Sequence, residues 1–137
     1  MNKAIKITSL IGLILQSFLT LLFLLFFVLS ITGIIHPELT TSVNGETTVH
    51  DTETAQSTFS LVFGVLLFFA LLSLLLGIFG LRKMKSNLKV SSVFYFIGAV
   101  ISANLITFMS WITCGVLLIS TYKDKRKEHN NETYMVD

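Results

Sequence analysis

Hydrophobic positions in this chain do not alternate with polar ones. They run on for whole helices at a time. Three stretches carry no Asp, Glu, Lys or Arg: residues 7–35, 54–81 and 90–122, of 29, 28 and 33 residues. A helix needs about 20 apolar residues to cross a hydrocarbon core about 30 Å thick. The first two stretches therefore each predict one membrane span. A signal peptide is the competing reading of the first, since Lys3 and Lys6 make a basic start, but its apolar region should run only about 7–15 residues and end at a small-residue cleavage site, so a retained span is expected. Nothing like Ala-x-Ala follows residues 7–35. Pro37 is expected to stop this span, since the residue before a proline is pushed out of helical geometry.

The third stretch reads two ways. One helix of this length would rise about 50 Å, whereas two straight spans want about 40 residues. Ser102, Ala103 and Asn104 sit at its middle and offer a turn. Leu88 and Lys89 at one end, and Tyr122 and Lys123 at the other, lengthen the helices while the lysines snorkel. Folding back would also bring Phe108 and Trp111 near the outer interface, where aromatic rings are favoured.

Charge decides between the readings. All ten basic residues fall in three clusters: Lys3 and Lys6; Arg82, Lys83, Lys85 and Lys89; Lys123, Lys125, Arg126 and Lys127. Two spans in the third stretch put every one of them on one face. One span would translocate the last four, against the positive-inside bias. The prediction is a single-domain, all-α integral membrane protein: a four-transmembrane-helix bundle with a short extracellular β-hairpin between helices 1 and 2. Its spans cover residues 8–34, 56–81, 88–103 and 106–122, with an outer loop at 36–56 and a cytoplasmic tail at 123–137. Both termini are expected in the cytoplasm of a bacterium, at its plasma membrane.

The outer loop holds Glu38, Glu46, Asp51 and Glu53 and no Lys or Arg. Asn44-Gly45 between β-branched residues is a strong hairpin signal, because a type I′ turn needs positive φ at both central positions. That turn pairs Val43 with Glu46 and brings Leu39 opposite His50. His36 and His50 would then approach the helix ends beside three carboxylates. Zinc takes such ligands, but the spacing matches no metal motif and no metal is expected. The tail is polar and mixed in charge, and is expected to be mobile. Its basic start can rest on anionic headgroups, each near-surface cation contributing about 1 kcal/mol. Asn131-Glu132-Thr133 matches a glycosylation sequon that this topology leaves in the cytoplasm.

Composition supports the membrane reading. The chain is 53% hydrophobic and only 13% charged, against about 25% charged in soluble domains. A soluble domain of this size buries only about two-thirds of its unfolded surface, too little to hide so much apolar area. A single cysteine, Cys114, rules out an intramolecular disulfide and the paired-thiol chemistry of four-helix oxidoreductases. It reads as a small packed hydrophobe.

Candidate positions are polar or small residues within the spans. Gly12, Gln16 and Thr20 share one face of the first helix, with Gln16 its most polar residue. Ala70, Ser73, Gly77 and Gly80 share a face of the second. Gly98 and Ser102 do so in the third, with Asn104 at the turn. In the fourth, Ser110 pairs with Cys114 and Trp111 with Gly115. Small residues let helix backbones approach closely, and an amide can hydrogen-bond between helices. These positions therefore read as helix packing; the functional alternative is a substrate-contact stripe for the first-helix face, and docking of a partner helix or of a second copy for the others. Apart from Lys89 at the edge of the third, no span contains an ionisable Asp, Glu, Lys, Arg or His, the usual mark of ion-coupled transport. The chain carries no nucleophile elbow, His-Glu-x-x-His or phosphate loop. No catalytic residue, cofactor or nucleic-acid partner is expected.

Several short segments resemble a known family. Gly77-Ile78-Phe79-Gly80-Leu81 runs straight into the Lys-rich connector. The third span carries Phe96-Ile97-Gly98-Ala99-Val100-Ile101. Ala103-Asn104-Leu105-Ile106, followed by Ile112-Thr113-Cys114-Gly115-Val116-Leu117-Leu118, completes the set. Together they resemble small four-span membrane proteins of Firmicutes, grouped as domain of unknown function 4064. The resemblance implies topology and no site. The expected role is a non-enzymatic accessory, interaction or envelope protein in the lipid bilayer. The alternatives are an oligomeric pore or transport component, and an immunity protein against a membrane-active peptide.

Overall fold

A computed structural model describes residues 3–35, 37–102 and 104–134. The elements are α1 (Lys3–Ile31), β1 (Thr40–Val43), β2 (Glu46–Val49), α2 (Thr52–Lys83), α3 (Leu88–Ile101) and α4 (Leu105–Tyr134). The fold is helical, with a two-stranded antiparallel sheet between α1 and α2. Among the described residues, α1, α2 and α4 are long and apolar enough to cross a membrane, and α3 is a shorter apolar helix.

The helices form a closed ring. α1 packs on α2, α2 on α3, α3 on α4, and α4 back on α1. Side chains alone bridge the diagonals. The buried positions trace narrow stripes of small or polar residues: Ile5, Ser9, Gly12, Gln16 and Thr20 on α1, and Ala70, Ser73, Gly77 and Gly80 on α2. The large apolar residues point outward, as in Phe18, Leu21, Leu61 and Val100. This arrangement is inside-out relative to a soluble bundle. Lipid tails are as apolar as leucine, so close backbone packing and interhelical hydrogen bonds hold membrane helices together.

The boundaries depart from expectation in three places. Pro37 does not end α1. The helix stops at Ile31, and Gly33 takes a left-handed φ of 69° just beyond it. A glycine past the last turn closes helices this way at no steric cost. α2 begins earlier than its charge-free run, because Asp51 caps it by accepting from the Thr54 N–H at 3.3 Å. α4 does not break at Lys123 but continues to Tyr134. No Gly or Pro occurs after Gly115, and residues 123–128 are charged helix formers apart from Asp124.

The hairpin forms in the expected register. Val43 pairs with Glu46, Thr40 with Val49, and the His50 N–H donates to the Leu39 carbonyl at 2.9 Å. Asn44 and Gly45 both have positive φ, 53° and 86°. Thr41 and His50 share a side-chain hydrogen bond. His36 lies outside the described residues. Among those described, no three His, Cys, Asp or Glu side chains gather to hold a metal.

Candidate functional site

Trp111 occupies the centre of the helix ring and is fully buried. This overturns its expected place at the outer interface. Its indole lies where three helices each present a glycine. A Cβ on Gly77 of α2 would fall 2.6 Å from Cζ2, and one on Gly98 of α3 2.9 Å from Cζ3. On Gly12 of α1 it would overlap Nε1 and Cδ1. The three glycines thus make a socket that no larger residue leaves open. Trp111 Nε1 is the one buried side-chain nitrogen or oxygen among the described residues without a hydrogen-bond partner.

Below the indole, Tyr95 packs edge-on against it, with ring centroids 5.9 Å apart. The Tyr95 hydroxyl shares a hydrogen bond with Ser9, joining α3 to α1 across the diagonal. Cys114 is also buried, with Sγ 3.7 Å from the Ile5 carbonyl oxygen. Three serines lock neighbouring helices by donating to glycine carbonyls: Ser73 to Gly98 at 2.9 Å, Ser91 to Gly80 at 2.7 Å and Ser92 to Gly115 at 2.9 Å. Each of these glycines also lies against an aromatic ring, of Trp111, Tyr95 and Phe96 respectively. The missing Cβ serves both contacts. It seats the ring and lets the partner helix come close enough for a hydroxyl to reach the carbonyl.

Above the indole lies a polar relay. Gln16 Nε2 donates to the Ala70 carbonyl at 3.1 Å, and its Oε1 accepts from Asn104 Nδ2 at 3.2 Å. Asn104 also caps α4: its Oδ1 accepts from the Thr107 N–H at 2.8 Å, and its Nδ2 donates to the Thr107 hydroxyl at 2.7 Å. Thr20 donates to the Gln16 carbonyl at 2.7 Å, and Ser102 to that of Ala99 at 2.8 Å. In hydrocarbon an unsatisfied polar group costs several kcal/mol, and the α3–α4 turn directs its polar atoms inward onto one another.

The relay also fixes how far α3 and α4 reach. α3 has 14 residues, which rise about 21 Å, less than the hydrocarbon core of about 30 Å. Its turn meets α1 at Gln16, midway along that helix. Beyond it, no residue of α1 between Thr20 and Ser30 is buried, and none of α2 between Ala70 and Ala55.

All the candidate positions are among the described residues. Gly12, Gly77, Gly98, Ser73 and Cys114 lie around or beside the Trp111 socket, and Gln16, Thr20, Ser102 and Asn104 form or flank the relay. Gly77 and Gly98 are covered by the indole, so they present no face to a partner helix. Sequence reasoning missed Trp111 and Tyr95 as the core. The available signal was the helical spacing of Trp111 with Thr107, Cys114 and Leu118, all buried on one face of α4.

This is a bundle of apolar helices whose polar groups are spent on one another. The chain belongs to the family described as Protein of unknown function (DUF4064), whose model matches residues 1–105. No curated protein and no solved structure matches it. The match takes in α1 to α3 and ends at the first residue of α4. Trp111 and the 112–118 segment that carried part of the resemblance lie beyond it.

Proposed function

We propose that the protein is a non-enzymatic accessory component of a bacterial plasma membrane, acting through contact with another membrane protein. In this reading all four helices lie in the membrane, α3 and α4 as a short pair that stops midway along α1, with both termini in the cytoplasm and the β-hairpin outside. The observation that carries it is the filled centre. Trp111 plugs the ring where a conduit would run, and both ends of the Gln16 amide are bonded to protein. The contact face is the half of α1 and α2 beyond the relay, where Phe18, Leu21 and Leu61 stand outward with no α3 or α4 beside them. The grouping of all ten basic residues at one end of the bundle supports the orientation.

A photocrosslinker at Phe18 or Leu61 tests this in intact cells. One defined membrane protein should be captured from both positions, and not from Ile97 or Met109 on the outer faces of α3 and α4. Capture of lipid alone would remove the partner. A cysteine at Gly45 should react with an impermeant thiol reagent from outside, and one at Ser86 should not. Transport would instead give substrate flux in proteoliposomes that Gln16→Leu abolishes.

A further inference from the structure

The end of the bundle that carries the basic residues is cut by a cleft of about 670 Å³ between the α2–α3 connector and α4. Lys85, Asn87 and Leu88 line one side, and Tyr122, Lys125 and Arg126 the other. The last three are spaced i, i+3, i+4 and so share one face of α4. They face the cleft only because α4 runs on past Tyr122 as a continuous helix. No carboxylate lines the cleft, and among the described residues none of the three cations is paired with one. Asn87 has spent its Oδ1 on the Val90 N–H, at 3.2 Å, which leaves its amide nitrogen to donate. The connector is also the N-terminus of α3, where free N–H groups and the helix dipole favour an anion.

We infer that this cleft is a binding site for the phosphate of an anionic phospholipid headgroup. Every uncommitted polar side chain in it can donate, and three carry positive charge, so its chemistry selects a phosphate. Its depth selects a lipid. Tyr122 and Leu88 mark the points where the apolar parts of α4 and α3 end, which sets the cleft at headgroup level. On the other side of Lys85 an apolar groove lined by Leu10, Leu81 and Met84 offers room for an acyl chain, with Lys6 and Arg82 at its rim. The depth argument rests on the membrane-spanning reading above; the donor set does not.

The test uses the full chain in detergent, with retained lipid counted by native mass spectrometry. Phosphatidylglycerol should be retained in preference to phosphatidylcholine. The triple variant K85Q/K125Q/R126Q should lose at least about tenfold in phosphatidylglycerol affinity, while K3Q/K89Q/K127Q, with the same net charge, should lose roughly twofold or less. The charge-preserving K85R/K125R/R126K should retain binding, which separates loss of charge from loss of fold. Equal losses in the two Gln triples would reduce the effect to diffuse attraction and overturn the site. No preference over phosphatidylcholine would overturn it too, and displacement by millimolar inorganic phosphate would overturn the lipid as its source. The assay is blind to sidedness, so labelling of a cysteine placed at Ser86 from outside would sink the orientation and leave this result standing.

Discussion

The two halves of this bundle are built from different materials. In the four-helix half, Trp111 and Tyr95 sit on glycines among small residues, with Ile5, Met84, Cys114 and Leu118 packed beside them. In the two-helix half, α1 and α2 meet through large rings. Phe26 stacks on Phe63 at 5.4 Å, Phe63 is backed within α2 by Phe59 at 6.2 Å, and Phe27 lies over Gly64. The difference follows from what surrounds each contact. A ring of four helices encloses a space that lipid cannot enter, so its contents must fit. A pair of helices is open on both sides, and acyl chains can fill whatever the side chains leave. The hydrophobic effect separates the halves little, since lipid is as apolar as leucine. Packing separates them.

The largest effect should come from emptying the socket. Trp111→Ala should destabilise by about 3–5 kcal/mol, the range for large aromatic truncations in enclosed cores. Phe63→Ala should cost no more than about 1.5 kcal/mol, the scale of an aromatic pair beyond its area burial, because lipid refills the gap. Reversible unfolding in mixed micelles measures both. Equal costs would break the comparison. Filling the socket comes next. Gly77→Val should cost about 1–3 kcal/mol by overpacking, since even its Cβ would press on the Trp111 ring. Gly64→Val should stay within about 0.5 kcal/mol, as at surface sites, because its neighbour is the edge of one half-buried ring, Phe27, in the open half.

How much of this was legible in the sequence follows the same division. Charge-free runs and basic clusters are one-dimensional signals, and they located all four helices. The hairpin was legible because Asn44-Gly45 dictates its own geometry. Helix ends were harder, because competing stop signals lie close together. Gly33 acted before Pro37, and Asp51 capped α2 before its apolar run began. The core was hardest. A tryptophan near a span's end fits an interfacial belt and an internal plug equally well. What decides is whether glycines on other helices lie opposite, and that is a fact of register. Gly12, Gly77 and Gly98 were each visible as small residues, but nothing along the chain says that all three meet one ring.

The relay gives a smaller effect. Gln16→Leu removes the bonds to Ala70 and Asn104 and should cost about 0.6–2 kcal/mol, the measured scale for such interhelical bonds. Its counterpart beyond the relay is Ser30, whose hydroxyl meets Ser60 at 2.8 Å while its carbonyl accepts from Gln56 Nε2 at 2.9 Å. Ser30→Ala should cost less, because the Gln56 bond uses the backbone and survives. Thermal unfolding of the two variants ranks them. A larger loss at Ser30 would place the stronger polar clamp in the open half.

The smallest effect lies at the hairpin end and tests whether the halves respond independently. Hydrogen bonds from Thr54, first its side chain and then its backbone N–H, hold the Asp51 carboxyl below the ordinary aspartate value of 3.8. A carboxyl whose folded pKa is depressed stabilises the fold fully above its unfolded value, and that contribution is lost as pH falls through the folded one. Acid should therefore fray the first turn of α2 below about pH 4, read as faster amide exchange at Thr54. Asp51→Asn keeps an acceptor oxygen and should remove the pH dependence. Trp111 is the only tryptophan in the chain, so its fluorescence reports on the four-helix half alone. Its emission should stay fixed while Thr54 frays, because α1 and α2 have a long stretch without buried residues between the cap and the socket. An emission shift that follows the same pH curve would mean that the open half transmits strain to the closed one, and lipid filling would not then be enough to decouple them.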